Sequence, residues 1–161
     1  MRKFTIIASV LFLVSCSPTT YYVVRHAEKD PTNTMSSDVP LSAQGTKRAE
    51  ALKEELKNKN IRYIFSTNFI RTKSTAQPLS NQINVPIQTY NPADTGLTTR
   101  IKNLGKGNVL VVGHSNTVDD VVNKLTGENH LQDLTETSYG DLFIIKKKGS
   151  KFSFERARFG Q

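Results

Sequence analysis

Four short runs of β-branched and aromatic residues, at positions 21–24, 63–65, 85–90 and 109–112, each lead through a polar segment into a stretch with helical spacing of apolar residues. Strands that alternate with helices in this way are joined by crossover connections, which favour a mainly parallel sheet covered on both faces. Ser42 reads as the N-cap of a first helix that carries Ala49, Leu52 and Leu56 on one face. A second helix is expected over 69–81, where Pro78 should kink or shorten the last turn, and a short third one over 98–104. Asn116 reads as the cap of a fourth, in which Val118, Val121, Val122 and Leu125 follow the i, i+3, i+4, i+7 pattern. The last part differs: residues 142–145 and 151–154 flank Gly149-Ser150 as an antiparallel hairpin, with Phe152 and Phe154 on one face. The expectation is one α/β domain over 21–161, a three-layer sandwich with a mainly parallel central sheet and a C-terminal antiparallel hairpin; 161 residues leave no room for a second ordinary domain.

In such a sheet ligands bind beyond the carboxyl ends of the strands. Arg25-His26 and His114 both stand immediately after an expected buried strand. A neutral imidazole serves as a phosphoryl acceptor when its other ring nitrogen is held by a hydrogen bond, and His26 suits that role. Arg25 beside it offers a planar fork matched to two phosphate oxygens, and Arg71 falls in the first turn of a helix, where backbone N–H groups favour an anion. Each residue also has a plain structural reading. A strand-end histidine can be a satisfied core residue, Arg71 can pair with a surface carboxylate, and Arg48 is expected to do so on the exposed face of its helix. His130, between Gly127 and Leu131, reads as solvated.

Val24-Arg25-His26-Ala27-Glu28-Lys29 resembles the Arg-His-Gly signature of the histidine phosphatase (phosphoglycerate-mutase-like) superfamily. Leu41-Ser42-Ala43-Gln44-Gly45 with Arg48-Ala49, then Ser66, Arg71 and Thr75-Ala76, and finally Val111-Val112-Gly113-His114 resemble three further blocks of that family in the same order. The resemblance implies a phosphatase in which His26 is phosphorylated and Arg25, Arg71 and His114 bind the phosphate, with no metal and no cofactor. It also implies a carboxylate in the loop after the third strand as proton donor. Asp94 is the acidic residue nearest that place, Glu28 is its competitor, and the plain alternatives are a turn residue for Asp94 and an ion pair for Glu28. Two departures stand out: Ala27 replaces the usual glycine, and Ser115-Asn116 follow the second histidine where many members have glycine or aspartate. The partner is a phosphorylated substrate; a phosphosugar, nucleotide, phosphoprotein or phosphohistidine would each satisfy the constellation. A noncatalytic lipoprotein that binds phosphate or a polyanion, and less readily a phosphomutase, are the other readings of the same residues.

The formal net charge of +8 favours anionic partners. Nucleic acid is not expected, because neither zinc-ligand spacing nor an aromatic-plus-basic RNA-binding motif occurs. At the N-terminus, Arg2 and Lys3 precede an apolar run over 4–14, and Leu13-Val14-Ser15-Cys16 resembles the lipobox of bacterial lipoproteins. Residues 1–15 are therefore expected to be a signal peptide, Cys16 the lipidated residue, and 16–20 a short tether. Cys16 is the only cysteine, so its acylation would leave the mature domain without a thiol. The protein is then expected outside the cytoplasm, held to a bacterial cell envelope by its lipid. Lys146-Lys147-Lys148 at the hairpin tip suits either an anionic partner or protection of a sheet edge; the second reading is preferred on sequence alone.

Overall fold

A strand buried on both faces must lie inside a sheet, and β1 (Thr19–Arg25) is buried from Tyr21 to Arg25. It runs between β4 (Asn108–Gly113), which is parallel to it, and β5 (Asp141–Lys148), which is antiparallel. The sheet continues through β2 (Ile61–Thr67) and β3 (Ile87–Tyr90) on one side and β6 (Lys151–Arg158) on the other, in the order β3-β2-β4-β1-β5-β6. This computed structural model describes residues 18–32 and 37–160; the expected signal peptide (1–15), Cys16 and positions 33–36 of the polar loop lie outside the described residues. Among the described residues no helix is long and apolar enough to cross a membrane.

Side chains alternate across a strand, so one sheet supplies two cores. Tyr22, Val24, Ile64, Leu110 and Val112 pack with Leu52 and Leu56 of α1 (Ala43–Leu56) and Ala76 and Leu79 of α2 (Ile70–Ile83). Tyr21, Val23, Phe65, Val109 and Val111 pack on the other face, with Leu97 and Ile101 of α3 (Leu97–Lys102) and Val122 and Leu125 of α4 (Val118–Thr126). The result is the three-layer α/β sandwich expected from the sequence, with four parallel strands and the β5-β6 antiparallel hairpin.

Local details depart from expectation. α2 passes through Pro78 and continues to Ile83, ending where Asn84 adopts the left-handed conformation and donates its N–H to the Ser80 carbonyl. α4 is capped by Thr117 rather than Asn116, and the Thr117 hydroxyl is turned to the His114 N–H at 2.9 Å instead of to the helix. Arg48 is not on an exposed face. The period explains it: Arg48 is three residues after Gly45 and four before Leu52, both buried, so it lies on the inward stripe of α1.

Gly45 fixes how closely α1 approaches the segment that follows β1. A Cβ at this position would overlap the Glu28 carbonyl oxygen and come within 3.0 Å of its nitrogen. The same carbonyl accepts the Ser42 N–H at 2.9 Å, while Ser42 Oγ accepts the Gly45 N–H at 3.0 Å, so cap, glycine and Glu28 form one joint. Alanine normally stabilises a helix interior relative to glycine by about 1 kcal/mol. Here Gly45→Ala is expected to destabilise the protein by about 1–3 kcal/mol through overpacking, measured as a lower urea midpoint.

Candidate active site

Parallel pairing of β1 with β4 sets Arg25 opposite Gly113, and the His26 N–H donates to the Gly113 carbonyl at 2.9 Å. The residues that follow these partners, His26 and His114, therefore share one end of the sheet, with ring centroids 5.4 Å apart. Both are buried. His26 Nδ1 donates to the Ala27 carbonyl at 2.7 Å, which leaves Nε2 as the unprotonated nitrogen of a neutral ring. Ala27 is held in turn, since its N–H donates to Thr75 Oγ1 at 2.9 Å. His114 Nε2 lies 2.8 Å from Thr67 Oγ1 and its Nδ1 lies 3.4 Å from an Arg71 nitrogen, so the consistent tautomer donates from Nε2 and accepts at Nδ1. Burial pushes His26 down to about 3, with the charges of Arg25, Arg71 and His114 acting in the same direction and the bond to Ala27 opposing. His114 is lowered to about 4 by burial and by Arg71, Arg25 and Lys29.

The two arginines approach from different elements. Arg25, at the end of β1, is braced by the Thr135 carbonyl at 2.7 Å, the Ser138 carbonyl at 3.3 Å and the Tyr139 ring at 4.4 Å. Arg71, in the first turn of α2, lies over the Phe69 ring and donates to the Ser37 carbonyl at 3.2 Å, with Asp38 at 3.9 Å. Burial lowers its pKa, and Asp38 opposes the shift. The Nε atoms of both arginines are buried without a hydrogen-bond partner among the described residues. A buried donor left unpaired costs about 1–3 kcal/mol. Both arginines and both histidines line one open cleft of about 340 Å³. No group of three or more His, Cys, Asp or Glu side chains placed to hold a metal occurs among the described residues.

Asp94 is not brought into this cleft. Its Oδ1 accepts the Gly96 N–H at 2.8 Å and its Oδ2 accepts from Arg100 at 2.9 Å, and these two bonds lower its pKa. It behaves as the turn residue that was the plain alternative. Glu28 is held on the far side of the segment by Arg48, with contacts of 2.6 and 2.9 Å, and Arg48 also donates to the Phe159 and Gly160 carbonyls at 3.1 and 3.0 Å. Burial alone would raise Glu28, but the bonds from Arg48 bring it below the usual carboxylate range. The carboxylate that does line the cleft is Glu136, 3.2 Å from Arg25 and 3.4 Å from the Ser115 hydroxyl, in the irregular segment between α4 and β5. No periodicity marks that segment, so Glu136 escapes a reading of the sequence. Thr67 and Thr75 were also missed as supports; Thr75 stood inside a matched block, but nothing in the spacing pairs Thr67 with His114. His130 lies elsewhere, stacked on Phe154 at 4.5 Å.

A family model of the histidine phosphatase superfamily (branch 1) matches residues 21–92, the stretch that contains Arg25, His26 and Arg71. No curated protein matches the chain. Among solved structures, the protein histidine phosphatase SixA complexed with tungstate superposes with a TM-score of 0.70 at 18% identity, over 86% of this chain and 96% of that one. The mycobacterial glucosyl-3-phosphoglycerate phosphatase superposes with a TM-score of 0.65 at 14% identity, over 89% and 99%. A phosphoserine phosphatase from Entamoeba histolytica in complex with phosphoserine gives 0.65 at 12% identity, over 89% and 97%. At these identities the likeness shows the fold, which is that of histidine phosphatases. The family match covers the first two strands with their helices and β3, and the likeness in fold extends over most of the rest of the chain.

The two lowered histidines give a stability signature. Both hold fewer protons in the folded than in the unfolded chain between about pH 4 and 6.5, so stability is full above the unfolded pKa of about 6.5 and falls as pH drops. For His26 the loss approaches about 1.4 kcal/mol per pH unit, or about 2 kcal/mol between pH 7.5 and 5. Urea unfolding at those two pH values should show a drop for wild type that is smaller by about that amount in His26→Asn.

Proposed function

We propose that the chain is a phosphatase of the histidine phosphatase superfamily that hydrolyses phosphate monoesters through a phosphohistidine on His26, and that it is exported and held to a bacterial cell envelope by lipid on Cys16. The observation that carries the catalytic reading is the state of His26. It is a buried, neutral ring with Nδ1 fixed on the Ala27 carbonyl, in a cleft it shares with two arginines whose Nε donors are unpaired. A site built only to bind phosphate needs the arginines but no imidazole held in a nucleophilic tautomer.

In this mechanism Arg25, Arg71 and His114 hold the phosphoryl oxygens while Nε2 of His26 attacks phosphorus in line. The N–P bond forms as the P–O bond to the leaving group breaks. The leaving oxygen takes its proton from Glu136, the carboxylate in the cleft, in place of Asp94. Glu136 starts paired with Arg25 and is three-quarters exposed. A phosphate dianion arriving on Arg25 competes for that guanidinium and frees Glu136 to turn toward the leaving oxygen. Water then attacks phosphorus, Glu136 takes the proton, the N–P bond breaks, and inorganic phosphate leaves with His26 neutral again. The openness of the cleft suits a phosphoryl group on a protruding part of a larger molecule as well as on a small metabolite. The phosphoserine phosphatase and the glucosyl-3-phosphoglycerate phosphatase that share the fold are named for substrates of the monoester kind.

Mass spectrometry of enzyme quenched in alkali during turnover of nitrophenyl phosphate is expected to find the phosphoryl group on His26. His26→Ala should lose at least about 10³-fold in kcat/KM while remaining folded. Phosphate bound in the cleft with no phosphoenzyme at any pH would make the protein a binder instead.

The donor is tested separately. Glu136→Gln is expected to slow alkyl phosphates by about 10²-fold or more while leaving nitrophenyl phosphate nearly unaffected, because a phenolate departs without a proton. Equal slowing of both classes, or the same leaving-group dependence in Asp94→Asn alone, would remove Glu136 from this role.

A further inference from the structure

The end of the sheet opposite the cleft is crowded with lysines. β1 begins there at Thr19, paired with Lys147 of β5, and β5 runs antiparallel to it. Lys146, Lys147, Lys148 and, across the turn, Lys151 therefore stand beside the point where the chain enters the domain. Lys102, at the end of α3, reaches the same place from the helical layer: its carbonyl accepts from Lys147 Nζ at 3.4 Å, and its ammonium lies 5.3 Å from the centre of the Phe152 ring. Lys106 sits in the turn that leads into β4. Burial and the neighbouring Lys147 charge lower the pKa of Lys102, so the fold bears a cost in keeping these charges together.

Ion pairing separates this cluster from the lysines of α1. Lys53 and Lys57 are paired within their helix with Glu50 and Glu54. Lys146 pairs with Glu155 at 3.2 Å, but Lys102, Lys106, Lys147, Lys148 and Lys151 form no ion pair among the described residues. Lysines that guard a sheet edge would explain the hairpin, yet Lys102 and Lys106 belong to a helix end and a loop that have no edge to guard. An uncompensated field of one sign is a docking surface for the opposite sign.

We infer that this end of the domain docks on an anionic phospholipid surface, with the cleft turned away from it. The inference rests on the proposed anchor at Cys16. The apolar run over 4–14 and Cys16 precede β1 directly, so the chain outside the domain ends beside Lys147. From Cys16 to Thr19 the chain spans at most about 10 Å, close to the Debye length of about 8–10 Å, so a lipid on Cys16 holds the lysines where headgroup charge is still felt. β1, seven residues long, then sets the cleft about 20 Å farther from the surface. The phosphoryl group it receives accordingly comes from the aqueous side and not from a headgroup of the same membrane.

The test uses the full, lipid-modified chain on vesicles of phosphatidylcholine alone or mixed with phosphatidylglycerol, treated with a membrane-impermeant amine-acetylating reagent and mapped by peptide mass. Lys106, Lys147, Lys148 and Lys151 should be acetylated several-fold less on the anionic vesicles, with the protection lost in high salt. Lys29, which lines the cleft, should react equally on both. Equal acetylation of the four lysines on the two vesicle types overturns the docking face, as does protection by duplex DNA in place of anionic lipid. Flotation reports the anchor independently. A chain that fails to float with neutral vesicles lacks the anchor, and the docking face must then appear as flotation with anionic vesicles alone, failing which it is also overturned.

Discussion

The site depends on one pair of neighbouring strands. β1 and β4 are separated in sequence by three crossover units, yet they lie side by side in parallel register, and the His26 N–H closes the ladder on the Gly113 carbonyl. A slip of one residue would turn Tyr22 and Val24 out of one core and Tyr21 and Val23 out of the other. The hydrophobic cores therefore hold the two imidazoles at their separation, and the geometry of the chemistry is a consequence of packing far from it.

Behind the cleft, polar groups do what packing cannot. The segment after β1 has its backbone tied to α1 through Ser42 and Gly45 and to α2 through Thr75. Arg48 joins Glu28 to the Phe159 and Gly160 carbonyls, so the C-terminal end of the described chain is fastened to the same segment. A partly buried pair of this kind contributes little net stability, but breaking it leaves a charge without its partner. Glu28 of this pair stands one residue beyond Ala27, whose carbonyl accepts from His26 Nδ1.

Much of this was legible in the sequence because it is periodic or local. Strand runs, the buried faces of α1 and α4, and the two histidines at strand ends follow from spacing alone, and the arginines from adjacency and a helix start. What was missed lacks period. Glu136 comes from an irregular segment, and its position is set by Arg25 and Ser115, residues far from it in the chain. Asp94 was placed by analogy with a loop position; its own short-range bonds to Gly96 and Arg100 decide where it stays. Arg48 was assigned to the wrong face because a charged residue was weighed by type, whereas the helical period sets it between Gly45 and Leu52.

The positive field of the cleft has two effects that are usually considered apart. Arg25 and Arg71 supply donors for a dianion, and the same charges, added to burial, keep His26 and His114 neutral well below the ordinary histidine range. Burial is the larger cause at both rings, and the arginines add to it. An anion beside the arginines would offset their part of the shift and leave the part that burial sets. At His26 the Ala27 carbonyl holds the proton on Nδ1 and leaves Nε2 free, although the same bond favours the charged ring. The asymmetry between two otherwise similar rings rests on their partners: for His26 a carbonyl that fixes the proton on Nδ1, and for His114 a hydroxyl that accepts a hydrogen bond from Nε2 together with an arginine nitrogen that faces Nδ1.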